Sequence, residues 1–486
     1  MCEFVFLGVA LRARFTILGC VVQAATIKSR YTSKALMESE KTHFDVIIVG
    51  SGTSAYYVAM GLLEATKKIA MVDERPFGGT CALRGCQPKK YLVANAEAVA
   101  TAKHLVGKGI KAAPLTDWSG LQALKNEFLE GRSEKDLKGW QKKDVSTFRE
   151  RARMSGSNEV ILDSGTKLTA EYIVLATGST QRELNINGSH HAKTSDDFLE
   201  LSELPGRICF IGGGYISFEF AHVAANAGAE VSIIHHSKRP LSGFDPDMVD
   251  TVVDASRAAR IDVVLNESPT RIEAQGDSYK VHTNTGRVME TDYVVSAIGR
   301  VPNLSVLEDN RGNVDSVPGG IVVNSFLQST SNPCVYAVGD CVARGKMLAT
   351  VADDHGKMVA RNILEGNSTK VDQSVVPSAV FTVPNLAAVG FTEQQAREQG
   401  FDFSIKQGST VGWPSSKRIG ETHGAYKVLV DNKTGLLLGA HLVRHNAAEV
   451  INIFALAIAY DIPAKQLADF LWAYPTYVSD IKSMVV

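Results

Sequence analysis

The chain has no surplus of either charge, with 51 Lys and Arg against 52 Asp and Glu in 486 residues. It therefore lacks the polybasic character that a nucleic-acid polyanion recruits, and no nucleic-acid partner is expected. It also lacks an apolar run of the roughly 20 residues needed to span a bilayer, so no stable membrane insertion is expected. Cysteines are few: Cys2, Cys20, Cys81, Cys86, Cys209, Cys334 and Cys341. Seven scattered thiols do not make the paired framework of a small secreted domain. Cys334 and Cys341 flank a predicted strand and read as core. Acid is almost missing from residues 1–36, where Glu3 alone opposes Arg12, Arg14, Lys28, Arg30 and Lys34. Such a stretch fits a transit peptide or an upstream extension, with Met37 as an alternative start. The extension is the preferred reading and places the protein in the cytoplasm; a transit peptide would place it in an organelle.

What is present is enough chain for three domains, and two nucleotide-binding patterns. Phe44-Asp-Val-Ile-Ile-Val is a buried-strand run that ends in Gly50-Ser-Gly52-Thr-Ser-Ala55. A helix-like segment and a second strand, Ile69-Ala-Met-Val-Asp73, follow. Glycines here let the backbone approach a pyrophosphate at a helix N-terminus, and an acid at the strand end binds a ribose hydroxyl. The pattern returns in Arg207-Ile-Cys-Phe-Ile-Gly212-Gly-Gly214-Tyr215-Ile-Ser217-Phe-Glu219, then Val231-Ser-Ile-Ile-His235. Gly50 to Asp73 and Gly212 to His235 are both separations of 23 residues. In place of the acid, the second unit carries His235, His236, Lys238 and Arg239. A carboxylate there selects NAD, whereas a basic cluster suits the 2′-phosphate of NADP. The alternative is a solvated basic loop. NADPH is the expected electron donor.

Between the two units lies Gly78-Gly79-Thr80-Cys81-Ala82-Leu83-Arg84-Gly85-Cys86-Gln87-Pro88-Lys89-Lys90. Residues five apart on a regular helix face different ways, so pairing these thiols requires an irregular backbone. Gly85 provides that freedom, and Pro88 suits the first turn of a following helix. A thiol at a helix N-terminus is more easily held as thiolate. Buried apolar cysteines or a zinc site are the alternatives, but no further Cys or His lies near enough to complete a ligand set.

With these motifs the chain resembles the class I pyridine nucleotide-disulfide oxidoreductases: dihydrolipoamide dehydrogenase, glutathione reductase and mercuric reductase. The likeness runs from about Phe44 to the C-terminus. It implies an α/β protein with two Rossmann-like three-layer nucleotide-binding domains and a C-terminal α+β dimerisation domain. The implied boundaries are an extension at 1–43, an FAD domain at 44–187 and 317–370, an NAD(P) domain at 188–316, and dimerisation at 371–486. It also implies FAD, held by Gly50, Gly52, Ala55, Asp73, Gly79, Thr80, Thr177, Gly178 and Asp340. Gly212, Gly214, Gly299 and the basic loop would serve the nicotinamide cofactor. Cys86 is then the thiolate facing the flavin and Cys81 the thiol that exchanges with the acceptor. Lys90 and Glu219 match the ion pair beside the flavin, and Tyr215 the aromatic gate of the nicotinamide pocket. The chain is expected to be a homodimer whose active site is completed across the interface.

The sequence departs from the family at its C-terminus. The usual His-Pro-Thr-x-x-Glu, whose His protonates the leaving thiol, is here Tyr474-Pro475-Thr476-Tyr477-Val478-Ser479, with Asp480 one position out of register. A phenol, with a reference pKa of about 10, is a poor neutral-pH base. Tyr474 resembles the tyrosine of mercuric reductase, yet that enzyme's C-terminal Cys-Cys pair is missing. Tyr56 and Tyr57 stand where glutathione reductase would offer an arginine, and suit either an apolar acceptor pocket or core packing. His190-His191 and His235-His236 are read as pointing apart and not as metal sites. The acceptor is expected to be a disulfide, a soft metal ion such as Hg²⁺, or a quinone. A slowly turning redox-sensing flavoprotein is the rival from another class.

Overall fold

A computed structural model describes residues 42–486 except 66, 310 and 344. Both readings of residues 1–36, together with Cys2 and Cys20, lie outside the described residues.

Strand His43–Val49 is flanked by Ile69–Val72 and Lys167–Leu175, both parallel to it, and Ser146–Phe148 extends the same sheet beyond Ile69–Val72. Phe44, Val46 to Val49, Ile69 to Val72 and Ile173 to Leu175 are all buried, as strands covered on both faces must be. An antiparallel hairpin, Ala152–Gly156 with Glu159–Leu162, continues the sheet. After the second nucleotide unit the chain returns, and Val335–Ala337 pairs in parallel with Lys167–Leu175.

The second sheet repeats the winding. Its order is Ile261–Leu265, Glu230–His235, Arg207–Ile211, Tyr293–Ser296, all parallel, with a separate antiparallel three-stranded meander from Pro269 to Thr291. The equivalence reaches the backbone of the turns. Gly50 has φ +118° and Gly212 φ +111°. A Cβ would meet the Ala176 carbonyl oxygen at 2.2 Å in the first and that of Ala297 at 2.4 Å in the second. Only glycine meets both demands.

The C-terminal part is a five-stranded antiparallel sheet from Ser378 to Arg444, packed against helix Ala447–Ala459. Lys427 ties it to the second nucleotide unit. Its buried ammonium lies 3.0 Å from Asp245, 2.6 Å from Asp247 and 3.2 Å from Glu393. Cys209 and Cys341 are buried as core, while Cys334 is only half-buried because it precedes its strand in a turn. The expected fold class is the one observed.

Candidate active site

The irregular backbone demanded by the two thiols is a break between two helices. Helix Gly79–Leu83 ends at Arg84, and helix Cys86–His104 begins directly after Gly85. Gly85 lies at φ −147° and ψ −115°, and it also packs closely, since a Cβ would lie 3.0 Å from the Thr80 carbonyl oxygen. Cys86 thus occupies the first turn of a 19-residue helix, with Pro88 two positions on.

The two thiols are electrostatically unequal. The Cys81 thiol donates to the Cys86 sulfur and, with burial, is itself pushed well above the usual cysteine range. That hydrogen bond, with Lys89 nearby, outweighs burial at Cys86 and draws its thiol down to about 7.

The expected Lys90–Glu219 pair is corrected to Lys89–Glu219. Lys89 Nζ lies 2.7 Å from Glu219 Oε2, and the carboxylate is almost completely buried. Successive helical residues differ by about 100°, so only one of two adjacent lysines can reach Glu219. Lys90 instead places its ammonium 3.9 Å from the centre of the Phe381 ring. The second Glu219 oxygen accepts from the Phe381 backbone N–H at 2.9 Å, which satisfies a carboxylate that could not stand alone. The signal for Lys89 was its three-residue spacing from Cys86.

Two adjoining cavities, of about 180 and 190 Å³, run from this dithiol to Asp73. The first is lined by Cys81, Cys86, Lys89, Tyr215, Glu219, Arg300 and Asp340 among others. The second is lined by Gly50, Gly52, Asp73, Gly79 and Thr177 among others. Thr80 and Gly178 border both. Ala55 is buried within helix Thr53–Leu63 and lines neither cavity. Tyr215, 45% exposed, heads helix Tyr215–Ala227 at the mouth. Asp340 Oδ2 accepts from the Ser179 hydroxyl at 2.7 Å, and Arg300 donates to Ser179 through both Nε and Nη2.

The trough fits a flavin dinucleotide. Gly79 has φ +71° and lies so near Gly52 that a Cβ would be 2.3 Å from its Cα. This packing brings the Gly50–Gly52 turn and the N-terminus of helix Thr53–Leu63 into the groove, a seat for diphosphate. Asp73, which accepts from the Ser51 N–H and hydroxyl at 2.9 and 2.6 Å, stands at the far end for a ribose.

Several expectations need correction. His235 is not a free cation for a phosphate. Its Nδ1 accepts from the Gly213 N–H at 3.1 Å, Nε2 lies within hydrogen-bonding distance of Ser237 and the Arg239 carbonyl, and burial lowers its pKa. His236, Lys238 and Arg239 remain exposed, Arg239 with a loose 3.6 Å contact to Asp250. The adjacent histidines do not point apart, since the His190 and His191 rings are 4.0 Å between centres and those of His235 and His236 are 4.7 Å. The turn geometry brings neighbouring rings together, and still no group of three metal-ligating side chains forms among the described residues. Tyr56 packs edge-on against Tyr57 and Trp140, and neither tyrosine lines the dithiol cleft. Tyr474 lies apart from the cleft of its own chain and is 72% exposed.

A dithiol beside two nucleotide-binding units defines the class: a flavoprotein that moves electrons between a nicotinamide and sulfur. The family follows from comparison. Residues 44–356 match the model described as pyridine nucleotide-disulphide oxidoreductase, and residues 376–485 match that family's dimerisation domain. The chain belongs to this family. It is 32% identical over 463 residues to a mercuric reductase of Bacillus cereus, covering 94% of this chain and 73% of that protein. It is 30% identical over 449 residues to a glutathione reductase of Burkholderia cepacia, covering 92% and 99%. The Cu(II) complex of the HOCl-induced flavoprotein disulfide reductase RclA from Escherichia coli matches with a TM-score of 0.82 at 27% identity, covering 90% and 99%. The protein is an FAD-dependent, pyridine-nucleotide-linked oxidoreductase acting on a sulfur group, and its dimerisation domain makes it a homodimer. Among the described residues, no helix is long and apolar enough to cross a membrane.

Proposed function

We propose that the enzyme draws electrons from NADPH and passes them through the Cys81–Cys86 pair to a soft metal ion. FAD, when bound, supplies the two-electron relay between nicotinamide and sulfur. The Lys89–Glu219 pair fixes charge beside that relay, Tyr215 screens its nicotinamide side, and Cys86 holds the thiolate.

One observation carries the choice of acceptor: the C-terminal segment has no base held by a carboxylate. The Ser479 hydroxyl donates to the Thr476 carbonyl at 2.6 Å, and Asp480 turns inward to Arg444 at 2.6 Å. Neither orients Tyr474. A thiol leaving a substrate disulfide needs a proton, whereas a soft cation gripped by two thiolates does not. The names of the mercuric reductase relatives, and of the RclA complex with Cu(II), agree with this reading. Tyr474 of the partner subunit would complete the site, and a reducing cytoplasm suits a working dithiol.

NADPH oxidation should be measured with Hg²⁺, Cu²⁺, a quinone, glutathione disulfide and lipoamide. Metal-dependent turnover is expected, with the small disulfides slower by about 10²–10⁴, the usual contribution of an acid/base group. Tyr474→His with Ser479→Glu should raise disulfide turnover, with no parallel rise in metal reduction. Robust reduction of a small disulfide by the native enzyme would overturn the choice of acceptor.

The donor preference rests on His236, Lys238 and Arg239, exposed at a strand end that carries no acid. Lys238→Glu with Arg239→Glu should erode the NADPH preference chiefly through KM. NADH serving the native enzyme equally well would refute it.

A further inference from the structure

Arg84 sits inside the dithiol loop, two positions before Cys86, yet plays no part in the electrostatics described for either thiol. Its side chain is 14% exposed, its Nε has no hydrogen-bond partner, and its nearest acid is Asp196 at 3.8 Å. That acid is already engaged by Arg75 at 3.0 Å. Asp73 is likewise spent, on Ser51 and the Arg75 backbone N–H. A guanidinium at 14% exposure with one long, shared counter-charge is under-compensated.

Its location explains what would compensate it. The residues bordering both cavities are Gly52, Thr80, Arg84, Ala176, Gly178 and Ser179. Arg84 is the one charged group at this waist, which it shares with Gly52 at the N-cap of helix Thr53–Leu63. A dinucleotide lying from the dithiol to Asp73 carries its diphosphate there. The planar fork of a guanidinium matches two phosphate oxygens, and no other group at the waist offers that.

We propose that Arg84 is a cofactor-binding residue that clamps the FAD diphosphate from within the dithiol loop. The proposal rests on the family's use of FAD and is independent of which acceptor the enzyme reduces. It makes the dithiol loop part of the cofactor site: the peptide that carries Cys81 and Cys86 is anchored to the middle of the cofactor at its Arg84 end.

The test reads binding, not turnover. FAD and riboflavin, which lacks the diphosphate, are titrated into FAD-depleted native protein, Arg84→Met and Arg84→Lys, with flavin fluorescence as the signal. Loss of a charge-assisted, bidentate contact should raise the FAD dissociation constant about 10- to 100-fold in Arg84→Met, and less in Arg84→Lys. Riboflavin affinity should stay within about twofold in all three, because it never reaches the clamp. The melting temperature of depleted Arg84→Met should equal or exceed that of the depleted native protein, since an under-compensated buried charge has gone. Unchanged FAD affinity in Arg84→Met would overturn the proposal. So would equal losses of FAD and riboflavin with a lowered melting temperature, the signature of a merely structural arginine. Failure of metal reduction with the FAD shift intact would count against the acceptor alone.

Discussion

Two cysteines with the same side chain sit in one loop with opposite proton affinities. The cause is their hydrogen bond: Cys81 is its donor and keeps its proton, while Cys86 is its acceptor and gains Lys89 as a neighbour. Cys86 is therefore a thiolate above about pH 7 and is neutralised as pH falls through that value. In the two-electron-reduced protein, the long-wavelength absorbance between thiolate and flavin should fade over this window. Cys81→Ala removes the donor, so the midpoint should climb towards the ordinary cysteine value of about 8.5. Cys86→Ser should abolish the band. A band that survives in Cys86→Ser would reverse the roles of the two thiols. Lys89 belongs to the same scale, because which of two adjacent lysines meets Glu219 is decided by one step of helical rotation.

At the scale of elements, the C-terminal segment shows how a motif is lost and its shape kept. Arg444 is fully buried between the Trp413 and Tyr477 rings, whose centres lie 5.5 and 5.1 Å from its guanidinium carbon. It holds Asp480 at 2.6 Å and is bonded to Ser415 at 2.9 Å. The carboxylate that sequence puts one position out of register is thus committed to anchoring the tail that carries Tyr474. Asp480→Asn leaves the guanidinium buried without a counter-charge and should cost about 3–5 kcal/mol in chemical denaturation, the usual consequence of breaking a buried pair. A loss below about 1 kcal/mol would mean that water reaches Arg444 and that the tail is held by other contacts.

For the whole molecule, the single chain leaves large apolar side chains in water between residues 456 and 471 of the C-terminal domain. Leu471 is 93% exposed, Tyr460 73%, Phe470 60% and Leu456 51%. Exposed apolar side chains of this size are expected at the homodimer interface, where the partner would cover them. Tyr460→Asp with Leu471→Asp should shift the protein to monomer in light scattering. If Tyr474 of the partner completes the site, the monomer should also lose acceptor turnover although every cleft residue of its own chain is intact. A fully active monomer would remove Tyr474 from the reaction.

The local devices of this protein were legible in its sequence because each is a short-range pattern. The glycine turns, the 23-residue echo between the nucleotide units and the Cys81–Cys86 loop need only neighbours to be recognised. Backbone geometry makes them do one thing, as the near-identical φ of Gly50 and Gly212 illustrates. What sequence left open depends on which residues meet across elements far apart in the chain. Glu219 meets Lys89 beside Phe381, more than 160 residues further on, whose backbone N–H supplies its other hydrogen bond and whose ring lies near both lysines. His235 is withdrawn from the basic cluster because the Gly213 N–H points at its ring. Asp480 faces Arg444 because strand Leu437–Arg444 and the tail pack together. Periodicity and spacing fix what one element presents. The partner it meets is set by packing, where a difference of one residue in register decides which charge is paired.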